Sequence, residues 1–146
     1  MPRPQQSRRI AAPPLMQGFK PFGIPRSELD AVFLKYDEYE CIRLLDFEGM
    51  MQEQAAEHMN VSRPTLTRIY ENARKTIAKA LVEGKMIFIE GGNVDFGRQW
   101  FRCRKCHKLV DGEHNHTKCK HCKSFGKEEL ISIENIKNED TNTCRQ

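Results

Sequence analysis

The sequence predicts a mainly α-helical protein: a helix-turn-helix domain with short strands, followed by a small zinc-ribbon or knuckle-like module. Three observations carry this. Residues 52–70, QEQAAEHMNVSRPTLTRIY, place small and apolar side chains where two short helices must cross around a turn. Apolar residues then recur every three or four positions as far as Val82. Finally, Cys103-x-x-Cys106 and Cys119-x-x-Cys122 are two close cysteine pairs in a polar segment.

Residues 1–26 contain Pro2, Pro4, Pro13, Pro14, Pro21 and Pro25, which exclude regular helix and predict an extended basic arm. Arg8 and Arg9 on such an arm could enter a minor groove. A loose tail making weak phosphate contacts is the plainer alternative. Val32-Phe33-Leu34 predicts a short strand. Asp37 with Glu40 has the form of a capping box and starts a helix running to Leu45, with Cys41, Ile42 and Leu45 on one face. Cys41 is thereby placed in the core as a buried thiol. Phe47-Glu48-Gly49 predicts a turn.

The first helix of the motif spans Gln52 to Met59. Its cap position holds Met51, which has no polar side-chain acceptor. Ala55 and Ala56 allow close helix crossing. Met59, Val61, Leu66 and Ile69 face inward. Asn60 sits at the turn because it tolerates positive φ, and Ser62 caps the second helix. That helix runs from Arg63 to Val82 on a stripe of Leu66, Ile69/Tyr70, Ala73, Ile77 and Ala80/Leu81, and Gly84 ends it. Met86 to Glu90 (MIFIE) is β-prone and stops at Gly91-Gly92; it predicts a strand, a wing or an edge for dimerisation. The domain boundaries that result are a basic arm over 1–26, the helix-turn-helix domain over 27–92, a cysteine-rich module over 93–132 and a polar tail over 133–146.

Charge is distributed in blocks. The net charge is +4 over 146 residues. Residues 1–26 are basic without an acid, residues 27–60 hold nine acids against Lys35 and Arg43, and residues 61–85 are basic again. Residues 98–128 carry nine bases and three acids. Such blocks suit a protein with one face toward a polyanion, although they also occur as plain solvated surface. Arg63, Pro64, Thr67 and Arg68 lie on the outward side of the second helix, where arginine suits guanine edges and phosphates. No apolar run approaches the roughly 20 residues that span a bilayer, and no signal peptide is legible. The expectation is a cytoplasmic protein without a membrane partner.

Six cysteines in such a chain point to metal ligation more than to disulfides. Cys103, Cys106, Cys119 and Cys122 are expected to hold one Zn2+ per chain in a tetrahedral site. The segment is too short to fold by apolar burial alone, so the ion must contribute folding energy. Rubredoxin-like iron uses similar pairs and is the less favoured ion. His107, His114, His116 or His121 could replace a thiolate or form a second site, but each reads more simply as a solvated side chain. Cys103-x-x-Cys106-His107 also has the form of a c-type haem attachment, which the second cysteine pair argues against. Cys144 lies in the polar tail and reads as a free thiol.

RPQQSRRIAAPPLMQGFKPFGIP, LKYDEYECIRLLDFEGM, QEQAAEHMNVSRPTLTRIYENARKTIAKALVEGK and IEGG together resemble the prokaryotic family of domain of unknown function 134, also called uncharacterised protein family 0251, over about Arg3 to Gly92. Its helix-turn-helix is similar to region 4 of the sigma-70 factors, the piece that reads promoters. The resemblance implies a tri-helical DNA-binding domain, with Arg63, Pro64, Thr67 and Arg68 toward the groove. It also brings in RNA polymerase as a partner to consider. Met51 departs from the family's polar cap, and Cys41 from its small alanine.

The reading that results is a sequence-specific protein of double-stranded DNA, a transcriptional regulator with a structural zinc site, expected as a homodimer on two half-sites. A second reading makes the four cysteines a metal- or redox-responsive switch. Catalysis is not expected: four thiolates close a zinc site, and neither a phosphate loop nor a triad is evident. A helix-turn-helix used only for protein docking is disfavoured by the basic face.

Overall fold

The computed structural model describes residue 4, residues 6–113, residue 116 and residues 129–133. The chain divides into two compact units, residues 1–95 and residues 96–146.

Among its described residues the first unit holds three α-helices. Helix α1 spans Tyr36–Ile42 and continues as one wider turn of π-helix over Arg43–Phe47. Its start differs from the expected Asp37–Glu40 capping box. Glu38 reaches back instead to the Lys35 backbone N–H at 3.0 Å, two residues earlier. Asp37 and Glu40 are occupied elsewhere: Asp37 pairs with Arg8, and Glu40 accepts from Arg43. A carboxylate already held by an arginine is not free to close a cap.

Helix α2 spans Gln52–Met59 and helix α3 spans Arg63–Glu83. Met51 brings no acceptor to its cap, but Gln54 accepts from the Met51 N–H at 3.3 Å and supplies half of a capping box. Asn60 turns the chain at φ 56°, and Val61 N–H returns to the Ala56 carbonyl at 3.0 Å. Ser62 Oγ then accepts from Thr65 N–H at 3.4 Å, and Pro64 occupies a first-turn position where its missing N–H costs nothing. Leu66, Ile69, Ala73 and Ala80 are the buried positions of α3, as the stripe predicts. Leu81 and Val82 are not part of it; they are 77% and 86% exposed.

Two small sheets complete the unit. β2 (Gly18–Phe19), β4 (Met86–Ile89) and β3 (Ala31–Leu34) form one, in the order β2-β4-β3, with β3 parallel and β2 antiparallel to β4. The MIFIE segment is therefore the central strand and not an edge open to a second chain. Both of its sides are already paired. Leu34 and Ile89 meet Ala73 of α3, with Tyr36, Tyr39, Ile42, Ile77 and Ile87 packed around them. At Gly18 a Cβ would overlap the Ile87 carbonyl oxygen, so only glycine lets the two backbones approach this closely.

β1 (Arg8–Arg9) runs parallel to β5 (Val94–Asp95). The N-terminal segment is thus not a free arm. Ile10 is 1% exposed, Pro13 and Pro14 are buried, and Ile10 N–H bonds the Asp95 carbonyl at 2.9 Å. Proline excludes helix here but tolerates two-residue edge strands, and Ile10 supplies the apolar anchor. The acidic block is also partly internal. Asp37, Glu38 and Glu40 are buried at the start of α1.

The second unit, among the described residues, is a three-stranded antiparallel sheet. β6 (Trp100–Cys103) lies between β7 (Leu109–Asp111) and β8 (Leu130–Ser132). Among the described residues no helix is long and apolar enough to cross a membrane.

Candidate functional site

Two places concentrate chemistry. The first is the outer surface around the α2–α3 turn. The first turns of α3 leave Arg63, Pro64 and Arg68 exposed, with Thr67 half-buried beside them. Thr67 Oγ1 donates toward Gln52 Oε1 at 3.0 Å, which fixes the side chain between the two helices. Arg63 reaches across to Glu53 at 3.1 Å, with both side chains more than half exposed. Such an exposed pair contributes little to stability and is readily exchanged for another anion.

A groove of about 670 Å³ runs beside this turn, lined in part by Gln6, Arg8, Glu57, Asn60, Ser62 and Arg68. It joins the N-terminal segment to the α2–α3 turn. Two arginines and the positive end of the 21-residue helix α3 meet there, against one acid. Arg8 is only partly available to that groove. Its guanidinium holds Asp37 at 3.0 Å, with side-chain exposures of 16% and 4%. Arg9, its neighbour in β1, faces solvent. Sequence reasoning places both on one arm, but strand alternation separates them.

The second place is the cysteine module. β6 delivers Cys103 into a tight knuckle. Cys103 N–H bonds the Lys108 carbonyl at 3.0 Å, and His107 N–H returns to the Cys103 carbonyl at 2.9 Å. His107 takes φ 60°, a left-handed turn position, and leaves its ring exposed. Arg102, buried in the adjoining strand, donates to the His107 carbonyl at 3.1 Å and stiffens the turn. Arg104 N–H bonds the Glu129 carbonyl at 2.8 Å, and Lys105 pairs with Glu129 at 3.6 Å, so the knuckle is tied to the approach to β8.

The knuckle brings Cys103 and Cys106 together with a third donor, His116. The three ligand atoms lie within 4.8 Å of one another, and Cys106 Sγ is 3.5 Å from His116 Nε2. These residues lie close enough to bind a metal ion. His116 is buried, which corrects its reading as a solvated side chain. Cys119, Cys122, His114, His121 and Cys144 lie outside the described residues. The signal that could have marked His116 is its place three residues before Cys119, a His-x-x-Cys pair downstream of the Cys103-x-x-Cys106 pair.

Among the described residues Cys41 belongs to no ligand cluster. It is fully buried, with Sγ 3.6 Å from Met59 Sδ. Burial pushes its thiol up to about 12, and Asp37, Glu40 and Glu38 nearby add to the shift. Burial likewise raises Glu38 above the usual carboxylate range, and the Glu40 hydrogen bond raises Arg43 further. These groups form the interior of the first unit, not a reactive site.

The molecule therefore joins a three-helix unit with a small mixed sheet to a β-module carrying a Cys/Cys/His cluster able to bind metal. The comparisons place it further. A family model described as protein of unknown function DUF134 matches residues 1–97. A UPF0251 protein of Chloroherpeton thalassium is 40% identical over 132 residues, covering 89% of this chain and 87% of the relative. One from Caldicellulosiruptor saccharolyticus is 44% identical over 126 residues, covering 86% and 88%. One from Thermoanaerobacter pseudethanolicus is 53% identical over 93 residues, covering 64% and 79%. The chain belongs to this family, DUF134 or UPF0251. The two longer matches exceed the 97 residues of the family model, so they run on into the second unit. No solved structure matches the chain.

Proposed function

We propose that this protein binds double-stranded DNA in a sequence-specific way and acts in the cytoplasm as a transcriptional regulator. The observation that carries the reading is the α2–turn–α3 arrangement. Asn60 makes the turn, Ser62 starts α3, and the first turns of α3 hold Arg63, Pro64 and Arg68 exposed with Thr67 alongside. This is the form of a helix-turn-helix whose second helix presents its N-terminal residues to a major groove, similar to sigma-70 region 4. Arg68 and Arg63 are the base- and phosphate-reading side chains, and Arg9 is a phosphate contact at the flank. Arg8 supports the fold first. A homodimer on two half-sites suits the binding mode, though β4 is not its edge. Contact with RNA polymerase extends the sigma-like reading. No catalytic role is assigned.

The second unit in this reading is a metal-stabilised module, with zinc as the ion. Thiolate and imidazole donors on a short, polar segment are its usual ligands, and the ion supplies folding energy that apolar burial cannot. One observation favours a sensing variant: Cys106 is exposed whereas Cys103 is buried, so one ligand is open to oxidants or competing metal-binding molecules.

Selection of duplexes from a random library by the full-length protein tests the main reading. On the selected site, Arg68→Ala should lose roughly 1–3 kcal/mol with circular dichroism unchanged. Failure to enrich any duplex, or equal affinity of the folded variant, would contradict it.

A further inference from the structure

We infer that His116 is itself a ligand of the metal ion, so the centre takes a mixed sulfur and nitrogen set in place of four thiolates. This rests on the reading of the second unit as a metal module, and it concerns which atoms hold the ion.

The geometry is specific. A tetrahedral zinc with Zn–S near 2.3 Å and Zn–N near 2.0–2.1 Å separates a sulfur from a nitrogen by about 3.6 Å. Cys106 Sγ and His116 Nε2 are 3.5 Å apart. All three donor atoms, including Cys103 Sγ, fall within 4.8 Å of one another. Without an ion the same contact is an N–H···S or S–H···N hydrogen bond; with one, its length already suits two ligands of a single centre. The backbone explains how two of the donors are aimed. The knuckle is closed by the His107 and Cys103 bonds and tied to Glu129, which turns the chain so that the Cys103 and Cys106 side chains come to one place. His116 is buried, which limits the access of competing water on its side.

The stoichiometry follows from the coordination number. A closed zinc site has four ligands. Cys103, Cys106 and His116 supply three of these, and one position remains for a further donor.

X-ray absorption at the zinc edge on the full-length, zinc-loaded protein tests this. The expected shell has a nitrogen at about 2.0–2.1 Å beside sulfurs at about 2.3 Å. His116→Ala should lose the nitrogen and hold zinc at least tenfold more weakly in chelator competition. His116→Cys should restore tight binding with sulfur alone. A four-sulfur shell in the unaltered protein, or a His116→Ala protein with the original shell and affinity, would overturn the assignment and leave the metal module standing. A protein that takes up no stoichiometric zinc would overturn both.

Discussion

Arg8→Met isolates what holds the N-terminal segment in place. Arg8 and Asp37 are 3.0 Å apart, and Asp37 is almost fully enclosed. At an effective dielectric of about 20, a contact of that length corresponds to about 5–6 kcal/mol of gross Coulomb attraction. The desolvation of both charges offsets much of it, but when only one partner is removed the attraction is lost while the remaining charge stays desolvated. Deleting the arginine leaves a carboxylate in the interior with the Glu38 backbone N–H, at 3.0 Å, as its remaining donor. Removing one partner of a buried pair costs about 3–5 kcal/mol, and the lower end applies because Arg8 is partly exposed. For a unit of this size, a loss of about 3 kcal/mol lowers Tm by more than about 10 °C. Urea and thermal denaturation of Arg8→Met, Asp37→Asn and the double variant would measure it as a cycle. The double variant should recover much of the loss, because neither charge is left unpaired. If Arg8→Met keeps full stability and loses only DNA affinity, Arg8 belongs to a free arm and the packing argument fails.

Two further expectations concern single groups. Ser62→Ala should cost about 0.5–1 kcal/mol in denaturant titration, at the low end for a helix cap because the Ser62–Thr65 bond is long at 3.4 Å; a neutral result would mean that the Asn60 turn alone starts α3. Cys41 should resist alkylation in the native protein at pH 8 while metal-free Cys106 reacts, read by mass spectrometry. Its thiol is raised from an ordinary value of 9.0 to about 12. The folded state therefore keeps a proton that the unfolded chain releases, and this group's contribution to stability falls as pH rises through that window. Cys41→Ala should flatten the alkaline slope, and rapid native labelling of Cys41 would refute its burial.

The parts legible in the sequence are those governed by local chemistry. The α2 and α3 helices follow from apolar spacing and from caps within three residues, so Asn60, Ser62 and Gly84 mark their ends directly. Cys41 can be placed because its neighbours share its face. β1 and β2 are not legible. Each is two residues long and exists only through partners nearly 70 or more residues away. The start of α1 is misread for a related reason. Asp37 and Glu40 spell a cap locally, but arginine side chains, Arg8 from β1 and Arg43 from the next turn, claim both carboxylates. At the Cys/Cys/His cluster, spacing reveals the Cys103–Cys106 knuckle, whereas His116 is marked only by its His-x-x-Cys spacing to Cys119, one of four histidines in the same stretch.

The strand order of the first unit sets an order of events during synthesis. β1 pairs with β5, and both β2 and β3 pair with β4. Every one of these ladders thus waits for residues beyond α3, although β1, β2 and β3 are all made before α1. A chain emerging N-terminus first can form its helices on local contacts, but β1, β2 and β3 have nothing to pair with until Met86–Asp95 is outside the ribosome. A fusion joint or chain end placed between Gly84 and Asp95 would therefore strand the N-terminal third of the unit, and the helices would lack the sheet that α3 packs against.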